Sequence, residues 1–253
     1  MEKNISKRII YEDSTCIVIN KIKGEALEKK EGKNKANLLT EVLKIQLGHE
    51  KLFVTHRLDV PTSGLVLLTK TSEALSFYNT LFAKGKIEKK YWAIVEKKEG
   101  FENLISSTQA KEKGDFSELF HHLWVDGRLN KSFASKIKKK DTKEARLLWR
   151  LCGIGDNYGF LEIDLLTGRH HQIRAQLAAE NIYIKGDLKY GAKRSEKTGG
   201  IRLHAASLSF PNFFDPNKKI ELLAPPSFID PLWQAFIDSY KSTKNNSKQS
   251  RLA

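Results

Sequence analysis

Short runs of apolar residues recur along the chain and predict a set of β-strands. Residues 9–20 read as two short strands on either side of the polar turn Glu12-Asp13-Ser14. Residues 65–69 are continuously apolar, which is typical of a strand covered on both faces. Residues 89–96 alternate and place Tyr91 on the opposite face from Trp92. Further strands are predicted at 147–152, 160–166 and 201–210.

Apolar residues at helical spacing predict helices between these strands. The predicted helices cover 37–47, which ends at Gly48, the segment from Ser72 to Gly85, 170–179 and 231–240. Strands and helices are interleaved without a regular βαβ rhythm. We therefore expect an α+β fold with a mixed, mostly antiparallel sheet flanked by helices and loops.

Two segments do not fit this pattern. Residues from about 100 to 141 have weak periodicity, and we interpret them as a basic insertion that is partly helical around 117–124. Residues 241–253 lack apolar content, and we expect them to form a basic, disordered tail. Residues 1–240, with the insertion, are then expected to form a single domain.

The charge narrows the choice of partner. The 253 residues carry 44 Lys and Arg against 30 Asp and Glu, a formal net charge of +14. Residues 126–146 alone hold eight basic residues against three acids. Such an excess favours a polyanionic partner, nucleic acid above all, although most surface lysines are simply solvated. Charge alone does not separate RNA from DNA.

Other classes are disfavoured by composition. The chain has no apolar run near the ~18 residues of a membrane-spanning helix and no secretory signal, so we expect no membrane partner and a cytoplasmic location. Two cysteines exclude a disulfide scaffold and a four-thiolate zinc site. No glycine-rich dinucleotide fingerprint is present, so no cofactor is expected.

The segment HRLDVPTSG, residues 56–64, places Asp59 in a loop directly before the buried strand at 65–69. A carboxylate at the edge of a rigid strand is well placed for chemistry. The alternative is that Asp59 only caps a turn.

The segment TGRHHQIR, residues 167–174, starts a helix just after Gly168. Free N–H groups at such a start favour an anion beside Arg169. Arg174 lies one turn inside, where a buried guanidinium needs a carboxylate partner. The alternative is a surface helix with two solvated arginines. Two further segments, KKYWAIV with Tyr91 and RLHAASLSF with Leu203, are uninformative on their own.

Together these motifs resemble the RluA family of RNA pseudouridine synthases. HRLDVPTSG is similar to the family's HRLD-x-x-TSG, TGRHHQIR to TGR-x-HQIR, KKYWAIV to K-x-Y-x-A and RLHAASLSF to LHA-x-x-L-x-F. YEDSTCIVINKIKG resembles the opening strand pair, and IKGDLKYG the GD-x-x-YG turn. The resemblance runs from about residue 9 to 228. The family usually has Pro-Ala where this chain has Ile22-Lys23.

The resemblance implies the pseudouridine synthase catalytic fold, an isomerase activity on uridines of ribosomal or transfer RNA, and no cofactor or obligate protein partner. It implies Asp59 as the nucleophile, Tyr91 stacked on the flipped base, and Arg174 paired with Asp59. Arg57 would insert where the base was, Arg169 would contact a phosphate, and Leu203 would pack the pocket floor.

Two other functions remain open on the residues alone. A metal-dependent nuclease or phosphodiesterase could draw ligands from Asp59 and from the histidines, which are His56, His170, His171 and His204. An RNA-binding protein without catalysis is the other alternative, disfavoured because Asp59, Tyr91 and Arg174 are all present.

Overall fold

The computed structural model describes residues 5–27, 38–49, 51–98, 101, 105 and 116–249, with side chains as far as residue 245. The chain divides into two compact units. The first comprises Met1–Lys89 and His204–Ile229, and the second comprises Lys90–Leu203 and Asp230–Ala253. The expectation of a single domain over residues 1–240 stays a prediction.

The described helices and strands follow one another without a βαβ repeat. The α-helices are α1 (Leu39–Leu47), α2 (Ser72–Ala83), α3 (Gln172–Ala179) and α4 (Pro231–Gln249). The strands are β1 (Ile9–Glu12), β2 (Cys16–Lys21), β3 (Phe53–Val54), β4 (Ser63–Thr69), β5 (Glu88–Glu96), β6 (Ser117–Asp126), β7 (Lys131–Ser135), β8 (Lys143–Ile154), β9 (Tyr158–Leu165), β10 (Leu203–Pro211) and β11 (Lys219–Leu223). Short 3₁₀ helices lie at Ile5–Arg8 and Leu188–Tyr190.

The sheet of the first unit has the strand order β1-β2-β4-β10, and β11 and β3 pair with β10 and β4 respectively. Only the β4–β10 pair is parallel among these. The apolar run at 65–69 forms the centre of β4 and is fully buried, as its continuous pattern predicts. Helix α2 covers one face, where Tyr78 packs with Cys16, Leu67 and Phe210.

The second unit contains an all-antiparallel sheet in the order β5-β9-β8-β6-β7. Helix α3 packs on β6 and β7, where Ala175 contacts the cluster of Leu123, Ala145 and Tyr190. Helix α4 packs on β8 and presents Phe236 to Trp92 and Phe160. The strand pairing within each unit confirms the expected α+β class with a mixed, mostly antiparallel arrangement.

The sequence prediction of a helix around residues 117–124 of the basic insertion is wrong. Residues 117–126 form strand β6, which pairs with β7 on one side and β8 on the other. The period of two is visible in the burial of Leu119, His121 and Leu123, which alternate with exposed or partly exposed residues except at His122. Cross-strand pairing, which the local sequence does not reveal, decides between strand and helix here.

Two helix boundaries also differ from the sequence prediction. Helix α2 begins at Ser72, as predicted, but it ends at Ala83; its cap is Thr71, whose hydroxyl accepts a hydrogen bond from the Ala74 N–H at 3.2 Å. Helix α4 does not end at Tyr240 but continues to Gln249, so residues 241–249 of the expected disordered tail are helical. Buried Thr243 explains this extension, because its hydroxyl donates to the Cys152 carbonyl oxygen of β8 at 2.9 Å.

The close approach of β4 to β10 requires a glycine at position 64. Its φ is +124°, and an added Cβ would lie 2.4 Å from the backbone N and O of Ala205. We expect Gly64→Ala to lower the free energy of unfolding by about 1–3 kcal/mol more than Gly48→Ala, which has positive φ but open space. Urea unfolding of both variants measures the difference, and equal losses would contradict the steric argument.

Candidate active site

Asp59 lies in the loop between β3 and β4, at the entrance to the buried central strand of the first unit. Its carbonyl oxygen accepts a hydrogen bond from the Thr62 N–H at 2.9 Å, which closes a turn over residues 59–62. The Leu58 side chain is buried, whereas Asp59 is partly exposed and Arg57 is exposed. The loop is therefore anchored by its leucine and presents the two charged side chains.

The start of this loop is held by hydrogen bonds to Leu67 of β4. The Thr55 hydroxyl donates to the Leu67 carbonyl oxygen at 2.5 Å, and His56 Nε2 accepts from the Leu67 N–H at 3.1 Å. The His56 ring also packs against Phe82. Burial and the nearby positive charge of Lys89 lower the pKa of His56 to about 3. His56 is thus a neutral structural residue at physiological pH.

The end of the loop is held by Lys21, the last residue of β2, whose side chain is fully buried. Its ammonium donates to the carbonyl oxygens of Thr62, Ile22 and Val60 at 2.6, 3.1 and 3.3 Å. Three carbonyl acceptors match the three donors of an ammonium group. Lys21 therefore joins β2 to both sides of the turn that begins at Asp59.

The same ammonium supplies positive charge to the Asp59 loop. Burial lowers the pKa of Lys21 to about 8, against the opposing effect of the negative charges of Glu25 and Asp59. Lys21 therefore remains largely protonated at neutral pH.

A second contact fixes the turn that follows β2. Both terminal guanidinium nitrogens of Arg8 donate to the Glu25 carboxylate, at 2.9 and 2.5 Å, and the Gly24 N–H donates to the Val60 carbonyl oxygen. The Ile22 N–H donates to Glu25 Oε2 at 3.0 Å. The usual proline of the family would lack this N–H, so the departure at position 22 has a structural consequence here.

His204 lies behind the TSG segment and is also structural. Its Nε2 donates to the Ala224 carbonyl oxygen at 2.9 Å, which leaves Nδ1 to accept from the Ser63 hydroxyl at 2.9 Å. Burial lowers the pKa of His204 to about 4. His56 and His204 thus already use ring nitrogens within the fold, and among the described residues no three His, Cys, Asp or Glu side chains are grouped to hold a metal ion.

In the second unit, Arg174 of α3 is buried and forms a bidentate ion pair with Asp187. Arg174 Nε lies 2.6 Å from Asp187 Oδ2, and a terminal nitrogen lies 2.8 Å from Oδ1. The guanidinium also lies over the Tyr190 ring, 4.8 Å from its centroid. The carboxylate partner that a buried arginine requires is therefore present, and within this unit it is Asp187.

Strand β5 carries Tyr91 and forms hydrogen bonds with the segments that contain Asp187 and Leu203. Tyr91 lies on β5 and is buried. The Lys185 N–H, two residues before Asp187, donates to the Ile94 carbonyl oxygen of β5. The Arg202 carbonyl oxygen, next to Leu203, accepts from the Ile94 N–H. The KKYWAIV motif, which forms β5, is thus hydrogen-bonded to the IKGDLKYG and RLHAASLSF segments.

Arg169 is placed differently from the prediction. Helix α3 begins at Gln172 rather than just after Gly168, and Gln172 Oε1 accepts from the Arg169 N–H at 2.9 Å. The exposed Arg169 side chain donates from Nε to the Glu144 carbonyl oxygen at 3.1 Å. Arg169 therefore precedes the helix by one turn and faces solvent.

The six candidate residues fall into two groups. Asp59 and Arg57 belong to the first unit, and Tyr91, Arg169, Arg174 and Leu203 belong to the second. The expected pairing of Asp59 with Arg174 stays a prediction. Sequence reasoning missed Lys21 and Asp187, although both lie in quoted motifs, because a single polar residue at a strand end or in a turn is usually solvated.

The chain resembles known proteins in both sequence and fold. A family model described as RNA pseudouridylate synthase matches residues 15–179. The matched segment contains Asp59, Tyr91 and Arg174. The chain belongs to the RluA-type RNA pseudouridine synthases. A pseudouridine synthase is an intramolecular isomerase that acts on RNA, so this membership replaces both the metal-dependent nuclease and the non-catalytic RNA-binding protein as interpretations.

Two relatives illustrate the breadth of the synthase family. The chain is 29% identical to the ribosomal large subunit pseudouridine synthase C of Buchnera aphidicola, over 87% of this chain and 67% of that protein. It is 26% identical to the tRNA pseudouridine synthase C of Vibrio vulnificus, over 92% and 95% of the two chains. The solved structure of human RNA pseudouridylate synthase domain containing 1 shares the fold, with a TM-score of 0.66 at 20% identity over 90% of this chain and 86% of that one.

None of the synthase helices in the described ranges is both long enough and apolar enough to span a bilayer.

The buried pair of Arg174 and Asp187 should contribute strongly to stability. We expect Asp187→Asn to lower the free energy of unfolding by about 3–5 kcal/mol, because removal of one partner leaves a buried charge uncompensated. Exposed Asp156 in the β8–β9 turn provides the control Asp156→Asn, which should be nearly neutral. Equal unfolding midpoints in urea for the two variants would show that the pair does not hold the fold.

The buried ammonium of Lys21 predicts a pH dependence of stability. Between about pH 8 and 10.5, the folded protein has released a proton that the unfolded chain still binds, so stability due to this group rises with pH. We expect the wild type to show this rise in unfolding free energy and Lys21→Met to lack it. Exposed Lys86 supplies the control Lys86→Met, which should retain the rise; parallel curves for wild type and Lys21→Met would contradict the prediction.

Proposed function

We propose that this synthase isomerises specific uridines of ribosomal or transfer RNA with Asp59 as the nucleophile. The observation that carries the proposal is the Asp59 loop, which is held at both ends and has the Lys21 ammonium within electrostatic range. The matched family and two relatives, one named as a synthase of ribosomal large-subunit RNA and the other of tRNA, support the substrate class. The cytoplasm is the proposed location.

The reaction requires an ionised carboxylate at a fixed position. The net change breaks the bond between uracil N1 and ribose C1′, forms a bond from uracil C5 to C1′, and transfers the C5 proton to N1. Asp59 either attacks C1′, attacks C6 of uracil, or assists elimination to a glycal. All three routes need the negative charge, and the Lys21 ammonium lies within electrostatic range of it.

The rigidity of the loop supports a role in positioning. Reactive groups that are held within hydrogen-bond distance of their target gain much of the entropic advantage of catalysis. The hydrogen bonds at Leu67 and from Lys21 fix the residues on both sides of Asp59 before any substrate binds. The carboxylate therefore needs little reorganisation on substrate binding.

The other candidate residues have proposed roles toward a uridine swung out of its stack, a step that costs a few kcal/mol. Arg57 is exposed, as a side chain that fills the vacated position must be. Tyr91 offers a ring for stacking on the base and a hydroxyl for proton transfer. Arg174 is a rigid cation, and Leu203 is an apolar packing surface. Arg169, exposed one turn before α3, is proposed to contact a phosphate.

We expect Asp59→Asn to lower turnover by at least about a thousandfold while RNA affinity stays near that of the wild type, since the amide keeps the shape but lacks the charge. Release of tritium from RNA labelled at C5 of uridine measures turnover, and filter binding measures affinity. Exposed Asp215 gives the control Asp215→Asn, which should remain active. Turnover of Asp59→Asn near the wild-type rate would refute the nucleophile.

A further inference from the structure

The β6–β7 hairpin of the second unit has one face covered and one face open. Leu123 and Ala134 lie on the covered face, against Ala175 and Tyr190. Because side chains alternate along a strand, Trp124 of β6 and Phe133 of β7 point to the opposite face. Trp124 and Phe133 are direct cross-strand partners, and both remain partly exposed.

Two lysines bracket this aromatic pair. The rings of Trp124 and Phe133 are stacked, with centroids 5.6 Å apart and planes inclined by 20°. The Lys139 ammonium lies 5.1 Å from the Trp124 ring, and the Lys131 ammonium lies 5.3 Å from the Phe133 ring. We call these four residues the lysine–aromatic ladder. The rings hold both ammonium groups at defined positions through cation–π attraction.

The loop after β7 adds more positive charge beside the ladder. Residues 128–143 contain seven basic residues and one acid, Asp141. Lys138, Lys139 and Lys140 are all exposed. The Thr142 hydroxyl donates to the Lys139 carbonyl oxygen at 2.6 Å and accepts from its N–H at 3.3 Å, so the loop has a defined shape. The charges are thus presented from ordered backbone.

We propose that the lysine–aromatic ladder, together with the adjoining Lys138 and Lys140, forms a docking surface for the phosphate backbone of the RNA substrate. This inference rests on the proposed function, because it takes the partner to be the RNA that is modified. The chemistry recognised is a run of phosphates, read without regard to base sequence.

Charge complementarity favours RNA over an acidic protein as the occupant. Phosphate groups are repeated along a strand, and lysine binds each as a compact point charge. Ammonium groups fixed by rings lose less side-chain freedom on binding than mobile lysines do. Lys131 also lies 5.0 Å from the Tyr190 ring, which packs against Arg174. The ladder is therefore linked through the Tyr190 ring to Arg174 of α3.

Trp124 provides a direct optical probe. The protein has four tryptophans; Trp92, Trp149 and Trp233 are at least 95% buried, and Trp124 alone is partly exposed. We expect acrylamide to quench mainly Trp124, and purified bulk tRNA or protein-free ribosomal RNA to protect it. The measurement uses the Asp59→Asn protein, so that RNA binding is followed without turnover. Trp124→Phe in the same protein should abolish the fluorescence that RNA protects from quenching. Unchanged quenching at saturating RNA would overturn the proposal.

Substitutions in the ladder test the contribution to affinity. Lys131 contacts the Arg174 network, so Lys139 and Trp124 are the informative positions. Lys139→Gln should reduce the slope of log affinity against log salt by about 0.7–0.9, the value for one phosphate contact. Trp124→Leu changes no charge, yet should weaken RNA binding about two- to fivefold through loss of one cation–π contact. In both variants KM should rise and kcat should stay near the wild-type value.

Matched controls separate this effect from general loss of charge or folding. Lys218→Gln removes an exposed lysine of the first unit and should weaken binding less than Lys139→Gln. Phe120→Leu removes an exposed ring from the same face of β6, where the ring contacts His122, and should leave affinity unchanged. Thermal unfolding confirms that each variant is folded.

The outcomes distinguish the two proposals. Wild-type RNA affinity and salt slope in both Lys139→Gln and Trp124→Leu would overturn the docking surface and leave Asp59 as the proposed nucleophile. Full turnover in Asp59→Asn, together with the expected ladder effects, would refute the nucleophile and leave the docking surface supported. Protection of Trp124 by an acidic protein, such as polyglutamate, but not by RNA would also overturn the docking surface.

Discussion

The Asp59 loop depends on a lysine that is completely removed from solvent. A buried ammonium is costly unless every donor is satisfied, and Lys21 satisfies its three donors with main-chain carbonyl oxygens around the loop. Those carbonyls gain a partner in return, so neither β2 nor the turn at residues 59–62 is stable in this form without the other. The ammonium that holds the backbone also lies within electrostatic range of Asp59.

The second unit also contains a buried cation, which is neutralised by a carboxylate. Arg174 is buried because α3 packs its face on β6 and β7, and Asp187 neutralises it in a bidentate pair. Tyr190 completes the arrangement, since its ring supports the guanidinium and its hydroxyl accepts from the Ser132 N–H of β7. The β6–β7 hairpin, which carries the proposed RNA-docking surface, is thus joined to the helix of Arg174 by hydrogen bonds as well as by packing.

Only some of the functionally important residues could be identified from the sequence. Asp59, Tyr91 and Arg174 were identified because whole motifs around them resemble a family. Lys21 and Asp187 were not, since their importance comes from burial, and burial of a single polar residue has no local signature. Residues 117–124 show the same limit: they were predicted to be partly helical, but they form a strand because they pair with β7 and β8.

The amino-acid sequence by itself determined the elements with strong periodicity, the excess of positive charge, the family and the chemistry it implies. These features follow from the spacing of residues within short segments and from motifs that can be recognised in the sequence alone. Only the tertiary structure decided that three carbonyls converge on Lys21, that Asp187 is the partner of Arg174, and that Trp124 and Phe133 stand side by side between two lysines. Each of these requires residues distant along the chain to meet, and the energy of such contacts depends on burial and geometry that no local pattern contains.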